Sequence, residues 1–175
     1  MKLMIRNLTN LTRFGTAAKR GLCTESRLFP QRYNVLYDRK CALCRIEIDW
    51  MQRKDKEGNV LKFTDIESNY DELAPENGGV SYGEAMRGMT IVDGQTGETV
   101  KGPKVFYLLY DSLGLRFVWK WTQLPYIGSV VNHVYGFWAK YRTNLTRGRS
   151  VDSLIADHKA YQKLQDCTEN GQCKV

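Results

Sequence analysis

Two cysteines separated by two residues, Cys41 and Cys44, stand where an apolar, β-prone run from Tyr33 to Tyr37 breaks at Asp38. From Leu43 onward the apolar residues recur at helical spacing. A dithiol at the mouth of a helix is the arrangement in which Cys-x-x-Cys does redox work. The free N–H groups and positive end of the helix stabilise a thiolate in its first turn. Arg39, Lys40 and Arg45 add positive charge and push Cys41 the same way. Cys41 is therefore expected as the thiolate nucleophile, and it must be reachable to act. Cys44, one turn on, is expected to resolve the mixed disulfide. The cycle needs no bound cofactor.

Two other readings of the pair stay open: an inert buried pair, or a transient metal site on a binding or assembly module. A structural zinc site takes four ligands. The remaining cysteines are Cys23, Cys167 and Cys173, the histidines are His133 and His158, and none forms a second short-spaced pair. Cys167 and Cys173 read as exposed thiols in a polar tail, against the alternative of a second shuttle pair. Cys23 sits at the edge of the N-terminal segment. His133 falls off the apolar stripe of its helix and is expected to face solvent.

Two carboxylates belong to the candidate site. On a helical wheel Glu47 falls inside an apolar arc that includes Cys44 and Trp50. There it either takes the proton from Cys44 or forms a structural ion pair, for instance with Arg142. Asp38 either shuttles protons beside Cys41 or, the favoured reading for a loop-entry aspartate, caps the turn.

The elements that must position these residues follow from periodicity. Residues 32–37 form a first strand, about 41–54 a helix, and 60–64 a second strand, so the unit is βαβ with parallel strands. A loop or short helix fills 66–80, with another helical turn at 81–87. Residues 88–93 and 98–101 form an antiparallel hairpin around Gly94 and Gly97. A helix then begins at Gly102-Pro103 and buries Val105, Leu108, Leu109 and Leu113. After Leu124-Pro125 a stronger helix repeats Ile127, Val130, Val131, Val134, Tyr135 and Trp138 at core spacing. Tyr135, Trp138 and Tyr141 are expected in the core. A last weak helix covers 151–164. The fold class is α/β: a thioredoxin-like βαβ followed by a ββα unit, with a four-stranded mixed sheet flanked by helices and extra C-terminal helices.

The chain also resembles the DCC family of thiol-disulfide oxidoreductases. The resemblance rests on Tyr37-Asp38-x-x-Cys41-x-x-Cys44-Arg45, on Asp65-Ile66, and on Met86 with Val92-Asp93-x-x-x-Gly97. It extends to Leu124-Pro125 and to Val134-Tyr135-x-x-x-Ala139-x-x-Arg142. It implies a thioredoxin-like fold and a dithiol active site. The expected activity is that of a thiol-disulfide oxidoreductase of the protein-disulfide reductase type, on a thiol or disulfide substrate, a protein or glutathione. Two departures stand out. Arg39 occupies the position after the aspartate where family members carry glycine. No proline precedes the third strand, where thioredoxins hold extended substrate backbone; Met86-Arg87-Gly88-Met89 stands there.

The formal charge of +7 suggests nucleic acid, but its placement argues otherwise. Residues 1–24 hold five basic residues and no acidic one, leaving +2 for the remainder. That stretch reads as an organelle transit peptide, with Leu3, Leu8, Leu11 and Phe14 near one helical face and a processing-type site at Arg20-Gly-Leu22. The mitochondrial matrix is favoured over the chloroplast because Arg20-Gly-Leu22 resembles a mitochondrial processing site, with the absence of serine before Ser26 in minor support. The sequons at Asn7, Asn10 and Asn144 are then chance matches. No stretch reaches the length of a membrane span. The expected organisation is a transit peptide at 1–24, a domain at 31–145 and a polar tail at 146–175, in a monomer with no resident metal.

Overall fold

The computed structural model describes residues 27–68 and 70–170, so the expectations on residues 1–24, Cys23 and Cys173 lie outside the described residues. Strand β1 (Tyr33–Tyr37) leads into helix α1 (Ala42–Lys54) and strand β2 (Leu61–Asp65). A 3-10 turn at Pro75–Asn77 and helix α2 (Tyr82–Arg87) precede strands β3 (Thr90–Asp93) and β4 (Thr99–Lys101). Helices α3 (Lys104–Ser112), α4 (Arg116–Trp119), α5 (Pro125–Arg147) and α6 (Val151–Asn170) follow. The sheet order is β2-β1-β3-β4. β1 pairs parallel with β2 and antiparallel with β3, and β3 pairs antiparallel with β4. This is the mixed four-stranded sheet, flanked by helices, that the periodicity predicts.

Alternation along β1 divides the core into two layers. Tyr33 and Val35 face α1 and α3, packing with Ile48, Met51, Ile91, Val105 and Leu109. Leu36 faces α2 and α6, packing with Val92, Met86, Val151, Leu154 and Ile155. The first layer therefore presses α1, with its cysteines, against the sheet. The second layer docks the first turns of α6 against α2. Helix α2 starts at a capping box in which Ser81 and Glu84 satisfy each other's backbone N–H groups.

Two readings of the C-terminal half change. Val151, Leu154 and Ile155, within the stretch read as a polar tail, are buried, and α6 extends to Asn170. Short apolar triplets on an otherwise charged helix leave a weak periodic signal, yet they suffice to dock it. The stripe expected to bury α5 also splits: Val130 and Val134 point to solvent, as does Tyr141. Tyr135 and Trp138 are half-buried, and the buried residues of α5 are Ala139, Arg142 and Thr143. A polar interior on this helix is what hydropathy could not show.

Asn34, in the centre of the sheet, is fully buried. Its amide donates to the Glu76 carbonyl (2.9 Å) and to Asn77 Oδ1 (3.1 Å), and its oxygen accepts from Thr64 Oγ1 (2.8 Å). These bonds fasten the 3-10 turn to β1. Asn34→Ala leaves their partners unsatisfied and should lower stability by about 3 kcal/mol, read as a fall in the urea midpoint.

Candidate active site

The loop between β1 and α1 is shaped by one carboxylate. Asp38 Oδ1 accepts from the backbone N–H groups of Lys40 (2.9 Å) and Cys41 (3.2 Å), the side-chain turn that loop-entry aspartates favour. The capping reading of Asp38 thus has a geometric basis, and the turn at Arg39 closes without glycine. Cys41 then takes the N-cap position of α1, and its sulfur accepts from the Cys44 N–H at 3.4 Å. The two sulfurs lie 2.7 Å apart as free thiols.

Helix α5 crosses this mouth and delivers two arginines. Arg142, buried, donates from Nη1 to Cys44 Sγ (2.7 Å) and from Nη2 to the Met86 carbonyl (2.8 Å). Arg147 donates to Asp38 Oδ2 (3.2 Å) and Glu67 Oε1 (2.8 Å), and Lys40 and the Tyr82 hydroxyl also reach Glu67. These partners hold the Glu67 carboxyl down to about 2, against the opposing effect of burial. The turn that presents the dithiol is thereby locked to α5 through a nearly buried ion network.

The pair is electrostatically asymmetric. Cys41 is lowered from an ordinary value near 9 to about 5, chiefly by the hydrogen bond from the Cys44 thiol. Burial opposes that shift, while the Cys44 N–H and the Arg142 charge reinforce it. Cys44 is raised, because its proton is held against Cys41 and it too is desolvated, with Arg142 opposing. Interacting thiols of this kind titrate as a unit, with one proton shared between them.

Exposure runs in the reverse of the expected order. Cys41, expected to be reachable, is 0% exposed, whereas Cys44 is half-buried. Cys44 opens on a cavity of about 160 Å³ lined by Glu47, Met89, Phe106, Tyr135 and Arg142 among others. The physical reason is α5, whose C-terminal half roofs the first turn of α1 and leaves only the second cysteine at an opening.

Glu47 lines the same cavity and accepts from the Tyr110 hydroxyl at 2.9 Å. Tyr110 stacks on Trp50 at 5.1 Å, and its hydroxyl is raised to about 12 by burial and by Glu47. No ion pair joins Glu47 to Arg142 among the described residues, since that guanidinium faces Cys44 and Met86. The segment before β3, where thioredoxins carry proline, is taken up internally: the Met89 N–H donates to the Tyr135 hydroxyl at 2.9 Å. Cys167 lies half-buried on α6. His133 is exposed. No group of three or more His, Cys, Asp or Glu side chains able to hold a metal ion occurs among the described residues.

Sequence reasoning did not assign Arg142 and Arg147 to the dithiol. Their separation from Cys44 and Asp38, 98 and 109 residues, defeats local patterning. The signal within reach was two arginines on one helix with no neighbouring acid to pair with.

A family model described as DCC1-like thiol-disulfide oxidoreductase matches residues 35–148. An uncharacterized chloroplastic protein of Arabidopsis thaliana is 32% identical over 148 residues, covering 83% of this chain and 68% of the relative. No solved structure matches the chain.

A depressed Cys41 favours the folded dithiol form. That contribution is full above pH 9 and is lost as pH falls through about 5. Thiolate absorbance of the reduced protein should therefore rise with a midpoint near pH 5. Its thermal midpoint should climb between pH 5 and 9 relative to Cys41→Ser, and parallel melting curves for the two would contradict the assignment.

Proposed function

The chain belongs to the DCC1-like thiol-disulfide oxidoreductase family, and we propose that it exchanges a Cys41–Cys44 disulfide with substrate thiols through Cys44. The observation that carries this reading is the buried guanidinium of Arg142 on the sulfur that borders the cavity. In the oxidised protein a substrate thiolate attacks Cys44 Sγ. The Cys41–Cys44 bond breaks, and its electron pair leaves on Cys41 as a thiolate. A second substrate thiolate attacks the sulfur of the first. A substrate disulfide is released, and Cys44 leaves as a thiolate beside Arg142 and then takes up a proton. Two electrons pass to the protein, and the reverse sequence reduces a disulfide.

Both properties of Cys41 suit a leaving group. Thiols of low pKa leave fastest, and a buried sulfur does not need to meet the substrate. The same stabilised thiolate favours the dithiol over the disulfide, which makes the pair an oxidant of substrate thiols rather than a reductase. Glu47, at the cavity wall and bonded to Tyr110, is placed to accept a proton as a substrate thiol approaches. Because Tyr135 occupies the Met89 N–H, an extended protein backbone finds no ready partner there, and glutathione or a flexible cysteine segment is the better fit.

Single-cysteine variants test the assignment. With oxidised glutathione, Cys41→Ser should accumulate an adduct on Cys44, seen by intact mass, while Cys44→Ser should stay unmodified. The opposite pattern would return the nucleophile to Cys41. The burial of Cys41 also favours a second reading, a non-catalytic binding or assembly module, and that reading predicts no adduct on either variant.

The acid-free N-terminal stretch supports an organelle address within the proposed boundaries 1–24, 31–145 and 146–175. The Arabidopsis relative is a chloroplastic protein, which favours the chloroplast over the mitochondrion. In a plant cell, which offers both organelles, residues 1–30 fused to a fluorescent reporter should direct it into plastids and be shortened. Cytosolic fluorescence would remove the address, and mitochondrial import would restore the expectation drawn from the arginine-bearing site.

A further inference from the structure

Helix α5 carries a second apolar face that the fold leaves uncovered. Tyr126, Val130, Val134, Phe137, Tyr141 and Leu145 recur at steps of four, four, three, four and four. All are exposed, Tyr126 to 90% and Phe137 to 68%. Their spacing puts them on one side of a 23-residue helix about 35 Å long. Phe117, Trp121 and Leu124, exposed on α4 and the turn after it, extend the surface. An apolar groove of about 440 Å³ lies between Trp121 and Val134. Soluble monomers rarely leave a continuous apolar surface of this kind without a use for it.

Charge identifies what covers it. Between Ser112 and Ser150 the sequence holds six basic residues and no aspartate or glutamate. Arg142 and Arg147 turn inward to the dithiol mouth and Arg116 pairs with Asp111 at 3.8 Å, whereas Lys120, in the turn after α4, and Lys140, on α5, are exposed. The Lys140 ammonium sits 5.6 Å from the centre of the Tyr141 ring, so its stem lies along the apolar stripe. A second copy docked on this face would bring the same cations together. Residues 1–24 of the chain, with five basic residues and no acid, would be repelled in the same way. A surface with apolar and aromatic residues at its centre and the Lys120 and Lys140 cations beside them fits the headgroup region of an anionic bilayer. No described helix is long and apolar enough to cross a membrane, so the contact is one of lying on the surface.

We propose that the exposed face of α5 and α4 docks this protein on the surface of an anionic lipid bilayer. The proposal is independent of the dithiol chemistry. Tyr135 and Trp138 line both the apolar groove and the cavity beside Cys44, so the dithiol opens at the border of the docking face.

Flotation of the full chain with vesicles of phosphatidylcholine and phosphatidylglycerol, three to one, tests it. Binding should be strong at low salt, fall as salt rises, be at least tenfold weaker on pure phosphatidylcholine, and shift tryptophan emission to the blue. Val134→Asp with Phe137→Asp should weaken binding more than tenfold. Lys120→Glu with Lys140→Glu should do the same and flatten the salt dependence, since each basic residue near such a surface is worth about fivefold. These variants keep residues 1–26, so a loss of binding reports on α5 rather than on the basic N-terminus. They alter exposed positions, and an unchanged thermal midpoint confirms that the fold is kept. Binding that both pairs leave intact would overturn the proposal. So would a wild-type dimer in sedimentation that Val134→Asp with Phe137→Asp dissolves, which would assign the face to a second copy.

Discussion

A buried guanidinium held against a sulfur atom is the contact on which the rest of this structure depends. Removing a cation from water is costly unless its hydrogen bonds are met elsewhere. Arg142 offsets part of that cost with Cys44 Sγ and the Met86 carbonyl, its Nε staying buried without a partner, and so binds α1, the end of α2 and α5 to one point. Five residues further along α5, Arg147 does the same for Asp38 and Glu67. Together the two side chains tie the C-terminal half of α5 to the loop before α1 and to α1 itself. They also make the turn before α1 inseparable from the helix that covers it.

The covering helix explains why the two cysteines differ so strongly. In an open strand-to-helix turn the first sulfur stands outermost and the second is tucked into the helix. Here Arg142 and Thr143 are buried on the side of α5 that faces the protein interior, and the first sulfur is closed over. The Cys44 thiol, the Cys44 N–H and the guanidinium all favour negative charge on Cys41, while desolvation resists it. The outcome is a sulfur that is acidic yet enclosed, beside one that is reluctant to ionise yet accessible. Solvent exposure and acidity, which usually rise together in reactive cysteines, are divided between two atoms.

Much of this architecture is legible in the sequence because it is local. Turn residues at Asp38, Gly58, Gly94 and Gly97 bound the strands, and the Cys-x-x-Cys spacing places both sulfurs in the first turn of α1. What escapes is long-range or polar. Asn34 interrupts the apolar face of β1 with an amide whose three partners lie 30 to 43 residues away. The inner face of α5 reads as apolar up to Trp138 but ends in Arg142 and Thr143, so hydropathy assigns its register loosely. Val130 and Val134 look like core for the same reason, since a helix apolar on two sides does not tell periodicity which side is inside. Arg142 fits a helix surface as well as an interior until the sulfur it meets is known.

The distance along the chain between the cysteines and their arginine orders events at the ribosome. Domains are made from the N-terminus forward, and Cys44 is synthesised 98 residues before Arg142. Until α5 has been made and has docked, a nascent chain carries two thiols without the guanidinium and without the roof that closes over Cys41. The guanidinium's share of the pair's acidity, and the enclosure of Cys41, are therefore properties of the finished molecule only. A chain that stalls, or is cut, ahead of α5 keeps both cysteines and the hydrogen bonds between them, and lacks the cation and the cover that α5 adds.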